Sequence, residues 1–109
     1  MAYDEQLAKR VRGHLAKRMG LTERKMFGGL AFMIAGNMCC GVVGKDLMVR
    51  VGPDAYDEAL AQPGAKPMDF TGRPMRGMVY VSSKATSDDA ALAEWVERGV
   101  AFASSLPAK

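Results

Sequence analysis

Catalytic hardware is what this chain has least of. Its 109 residues hold one histidine, His14, and two cysteines, Cys39 and Cys40. A single imidazole cannot build a metal site or a triad without partners, and no carboxylate or thiol stands at a diagnostic offset from it. The Gly-x-Ser-x-Gly, Walker, Rossmann, His-Glu-x-x-His and Cys-x-x-Cys patterns are all missing. These absences lead us to expect no enzyme, no catalytic residue, no metal and no cofactor. Cys39 and Cys40 are neighbours on an expected strand, where successive side chains face opposite ways. A bond between them would need a distorted peptide, so two free thiols and a reducing compartment are expected. No run of 18 apolar residues occurs, and no apolar signal region follows MAYDEQ. The expectation is a soluble, cytoplasmic protein with no membrane attachment. Aromatics are only 7% of the chain, whereas methionines number nine, so flexible thioethers are expected to fill much of the core.

What is present has the proportions of one domain spanning residues 1–109, with nearly half the residues hydrophobic and a quarter charged. Folding a chain of this length buries roughly 65% of its unfolded surface, enough for stability without staples. The net charge of +3 is unevenly placed: residues 1–25 hold seven Lys/Arg against three acids, and the remainder eight against nine. Any attraction for phosphates therefore sits at the N-terminal end.

Residues 4–19 read as an amphipathic helix, with Asp4 as N-cap, Leu7, Val11 and Leu15 on the apolar side and Gly20 closing it. Lys9, Arg10, Arg12 and Lys17 spread over the outward side. A solvated face is the plainer reading of these four cations, and contact with nucleic acid or a partner is the functional one. His14 falls on the margin of the apolar stripe, where packing explains it.

The stretch Glu23 to Gly52 organises the rest. A short strand over Thr22–Phe27 and a sharp Phe27-Gly28-Gly29 turn lead into three apolar runs, Leu30–Ile34, Met38–Val43 and Leu47–Val51. Ala35-Gly36-Asn37 and Gly44-Lys45-Asp46 separate the runs with hairpin-sized breaks that tolerate positive φ. The runs are apolar at nearly every position, with Leu30, Phe32 and Ile34 on one face and Ala31 and Met33 on the other. Met38, Cys40 and Val42 likewise oppose Cys39, Gly41 and Val43. A sheet with one wet face alternates apolar and polar residues, so a helix or a partner subunit must cover the second face here. Arg50 interrupts the pattern and points to solvent or an acidic neighbour.

Pro53 is placed at the first position of a short helix that ends at Pro63-Gly64. Residues 65–76 read as loop, with one extended piece around Met68–Phe70, and Gly77–Ser82 as a last strand. A C-terminal helix follows, capped by Thr86 and Asp89 at capping-box spacing or by Ser87. Leu92, Trp95, Val96, Gly99, Phe102, Ala103 and Leu106 form its apolar face, with Glu94, Glu97 and Arg98 pointing away. Gly99 in mid-stripe implies close approach by a strand or side chain.

Met26-Phe27-Gly28-Gly29, the aromatic strand ending at Gly36-Asn37-Met38, the Gly-Lys-Asp turn and Leu47-x-Val49-Arg50-Val51 before an acidic helix start resemble the N-terminal domain of the TfoX/Sxy family of bacterial competence regulators. PMDFTGRPMRGMVYV and the Trp95-Val96 helix extend the resemblance over nearly the whole chain, as in single-domain members lacking the C-terminal domain. The resemblance implies an α+β fold similar to secretion chaperones: an antiparallel meander sheet of about five strands with an N-terminal, a short middle and a C-terminal helix packed on it. Two-domain members promote competence-gene transcription with a cyclic-AMP receptor protein, and the family brings no catalytic residues. The expectation is a non-enzymatic protein-interaction module, an accessory to transcriptional regulation of that kind, with a protein partner or a homodimer. Direct nucleic-acid binding through the basic N-terminal helix is the alternative.

Overall fold

The computed structural model describes residues 3–15, 20–26, 29–69 and 74–107. Among these, the element order is α1 (Glu5–Leu15), β1 (Leu21–Met26), β2 (Gly29–Ile34), β3 (Asn37–Val43), β4 (Asp46–Arg50), α2 (Tyr56–Leu60), β5 (Ala65–Asp69), β6 (Pro74–Val81) and α3 (Asp89–Ser105). The strands form one sheet in the order β1-β2-β3-β4-β6-β5, with every pairing antiparallel. The fold is therefore α+β, with six strands rather than about five. The added strand comes from residues 65–69, read above as loop. Pro67 and the prolines and glycines that follow disguise it, but an edge strand tolerates a residue that cannot donate to the ladder.

Hairpin chemistry sets the meander. Ile34 pairs with Asn37, leaving the two-residue turn Ala35-Gly36, whose φ values of 51° and 84° are both positive, as a type I′ turn requires. Val43 pairs with Asp46 around Gly44-Lys45, and only Gly44 takes positive φ. Asp4 caps α1 as expected, its Oδ1 accepting from Gln6 N at 2.9 Å and Leu7 N at 3.3 Å. The remainder of the expected 4–19 helix, including Lys17, lies outside the described residues, as do Phe27 and Gly28.

Two local expectations are corrected, and a third is narrowed. Pro53 lies in a turn before α2, not at its first position, and the helix begins at Tyr56. The cap of α3 is Asp88, whose side chain accepts from Ala91 N at 3.3 Å. Thr86 and Ser87 belong to the turn before the helix, where their hydroxyls donate back to Ser83 O and Lys84 O. Among the described residues Arg50 has no acidic partner; half-buried, it sets its guanidinium 5.1 Å from the centre of the Phe102 ring.

The main core lies on one face of the sheet. Leu7, Val11 and Leu15 of α1, Tyr56 and Ala59 of α2, and Leu92, Trp95, Val96, Val100 and Ala103 of α3 close over Leu30, Phe32, Val42, Leu47, Val49, Val79 and Val81. Phe102 and Leu106, expected within the apolar face of α3, are only half-buried, and Val100 is buried instead. Gly99 shows the close approach its position implied: a Cβ there would overlap the carbonyl oxygen of Cys39 in β3.

The candidate interaction surface

The four cations singled out in the N-terminal helix do not form one exposed set. Arg10 reaches α3, where its guanidinium donates to Asp89 Oδ1 at 2.8 Å and to the Thr86 and Ser87 carbonyls at 2.8 and 3.3 Å. This contact holds the Asp89 carboxyl below the usual carboxylate range. Arg12 donates through two nitrogens to both carboxylate oxygens of Glu23 in β1, at 2.6 and 2.8 Å. That fork ties α1 to the sheet edge. Lys9 is exposed, and Lys17 lies outside the described residues. His14, at the stripe's margin, is half-buried.

The Arg12–Glu23 fork lowers the Glu23 pKa and raises that of Arg12, in both cases chiefly through the side-chain hydrogen bond. Because the folded Glu23 pKa lies below the unfolded value of about 4.3, the pair's contribution is complete above that pH and is lost as pH falls through the folded value. The pair is half-exposed, so Glu23→Gln is expected to cost less than about 1 kcal/mol at neutral pH and to flatten the acid limb of stability. Denaturant titrations between about pH 7 and pH 3, spanning the carboxylate range, check this.

Cys39 and Cys40 are both free and fully buried, but they do not face opposite ways. Phe32 pairs with Cys40 while Met33 pairs with Met38, so Cys39 is the extra residue of a β-bulge. The bulge turns both thiols toward the helix-covered core, Sγ to Sγ 3.6 Å. The hydrogen-bonded contact with Cys39 and burial both push the Cys40 thiol pKa well up, which keeps it protonated and unreactive. The same bulge reverses the alternation of β3, placing Met38 with Gly41 and Val43 instead of with Cys40.

The other face of the sheet carries a second, smaller cluster: Met48 and Met78 are buried, with Met38, Val43 and Tyr80 packed against them. None of the buried hydrophobic residues of the three helices belongs to this cluster. Strand register places Arg24, Ala31, Gly41, Met48, Tyr80 and Lys66 in one row across this face. Met33 and Met38 pair one step along from that row. Arg24 and Lys66 at the row's ends are exposed, whereas Met33, Met38, Val43 and Tyr80 are half-buried. Beside Arg24 lies a depression of about 310 Å³ lined by Thr22, Glu23, Arg24, Met33 and Gly36. Burial and the nearby Asp46 carboxylate raise the Tyr80 pKa. Sequence reading had marked this face as dry but singled out neither Arg24 nor Lys66. No pattern within either strand marks them; only register across the sheet puts them on this face.

Among the described residues, no cluster of three or more His, Cys, Asp or Glu side chains could hold a metal ion, and no helix is long and apolar enough to cross a membrane. Comparison with known proteins gives no match among curated proteins or solved structures. It does match the TfoX N-terminal domain over residues 13–103, from the last turn of α1 almost to the end of α3. That span takes in both tight hairpins, the antiparallel sheet and nearly all of α3, which backs it. The chain belongs to the TfoX N-terminal domain family.

Proposed function

We propose that this protein is a non-enzymatic interaction module, an accessory to transcriptional regulation of the TfoX/Sxy kind, and that the methionine-lined face of its sheet is the surface it offers. The observation that carries the reading is the second cluster. Half-buried side chains of β3 and β6 pack there around Met48 and Met78, with Met33 of β2 paired beside Met38, on the face opposite all three helices' buried stripes. Flexible methionines suit such a surface because they repack around a partner.

Light scattering after gel filtration, paired with retention from a bacterial lysate, tests the reading. The wild-type protein is expected to self-associate or to retain a partner. Met38→Lys is expected to abolish this without loss of helix content, since a half-buried lysine can extend its ammonium to water. A strict monomer that retains nothing would remove the reading.

Nucleic-acid binding through α1 is the weaker alternative, because Arg10 and Arg12 already carry intramolecular partners. A protein neutralising four or five phosphates shows a slope of log affinity against log salt of about −4 on duplex DNA. A salt titration of DNA binding therefore discriminates the two readings.

A further inference from the structure

We propose that the methionine face receives an amphipathic helix bearing acidic residues at both ends of its apolar stripe, and not a second copy of this chain. The proposal rests on the interaction reading above and names the partner's chemistry.

The row Arg24–Ala31–Gly41–Met48–Tyr80–Lys66 crosses all six strands. Strands lie about 4.8 Å apart, so its two cationic ends are separated by roughly 24 Å. An α-helix rising 1.5 Å per residue covers that distance in about 16 residues, or between four and five turns. Between the ends the row is apolar apart from the Tyr80 hydroxyl, and Met33, Met38 and Met78 flank it. Long unbranched thioethers conform to the ridges of a helix without demanding one fixed set of knobs. The opposite face of this sheet is already closed by such an element, since α3 lays its apolar stripe across β2, β3 and β4.

Charge decides between a foreign helix and a second copy. In an aligned face-to-face dimer the row meets itself, because a two-fold interface presents the same patch from both sides. Arg24 then opposes Arg24 or Lys66 of the other copy, so cations face cations at both rims. A helix with Glu or Asp near each end turns both rims attractive. The depression beside Arg24 gives one of those carboxylates room to approach. Among the described residues Asp46 is the acid on this face, two residues along β4 from Met48 and off the row. Glu23 also lines the depression, but its carboxylate is held by Arg12, so both rims stay cationic.

Two synthetic peptides of about 16 residues provide the test. Both carry one apolar stripe; one bears Glu at each end and the other Lys. Fluorescence anisotropy against the full chain is expected to show the Glu peptide binding at least about tenfold tighter, with the margin shrinking as salt rises. The Arg24→Glu/Lys66→Glu double variant changes only exposed side chains and is expected to keep its melting temperature while reversing the preference. Equal binding of the two peptides would overturn the charge assignment. Binding of neither, by a protein that light scattering shows to self-associate through Met38, would give the face to a second copy and leave the interaction reading standing. Binding of neither by a monomer that retains nothing from lysate would end both.

Discussion

Trp95→Ala is expected to lower the unfolding free energy by about 3–5 kcal/mol. Trp95 lies on α3 with 5% of its surface exposed and is the largest side chain that this helix sets into the core. Removing the indole forfeits its transfer free energy and leaves a cavity between the helix and the sheet, which close packing elsewhere prevents from collapsing. A smaller loss adds to this, because the Arg98 guanidinium stacks 5.1 Å from the ring centre. Arg98 also pairs with Glu58 just outside the indole, holding α2 near α3. It is thus half-buried rather than directed away from the apolar face as the helical wheel implied. Domains of this size have about 5–15 kcal/mol in all, so the variant is expected to be partly unfolded at modest denaturant. Because Trp95 is the chain's single tryptophan, the transition should be followed by circular dichroism. A loss below about 1 kcal/mol would show that the ring does not fill the core in solution.

Gly99→Ala is expected to destabilise, although Gly-to-Ala in a helix interior ordinarily stabilises by about 1 kcal/mol. The added methyl would overlap the Cys39 carbonyl oxygen, and the carbonyl carbon would lie 3.0 Å away. The obstacle is backbone, in a strand bonded to β2 on one side and β4 on the other, and it cannot rotate aside as a side chain could. Overpacking of this kind costs about 1–3 kcal/mol, which outweighs the propensity gain. Gly13 provides the control: it lies on α1, is exposed, and a Cβ there meets nothing within 4 Å. Gly13→Ala is therefore expected to stabilise by up to about 1 kcal/mol. Opposite signs for the two substitutions in urea titrations would confirm that α3 is seated on the β3 bulge. A stabilising Gly99→Ala would refute that seating.

Much of this fold is legible in residue order because its signals are local. Glycine or alanine at positive φ, period-four apolar residues in α1, and the apolar stripe of α3 each depend on neighbours within one turn. Three features were not legible, for separate reasons. The strand over residues 65–69 reads as loop because proline lowers strand propensity, while its edge position removes the cost of the missing donor. The α3 cap falls on Asp88 because the preceding turn runs on through Thr86 and Ser87, whose hydroxyls bond back into it, and the helix starts only at Asp89. The two cysteines share a face because one inserted residue shifts the phase of β3, and strict alternation cannot reveal a bulge.

The candidate surface divides in the same way. The sequence by itself determined that both faces of the meander are apolar, because the identity of alternate residues in a strand does not depend on what lies across from them. It also determined that the N-terminal segment is basic. Only the tertiary structure decided which face the helices take, since that depends on where α1 and α3 return to the sheet. It likewise decided that Arg10 and Arg12 spend their charge on Asp89 and Glu23, residues 79 and 11 positions away. The same register that carries Arg24 and Lys66 to opposite ends of one row is a long-range property. Pairing between strands, and not the order of residues within them, sets a row's ends.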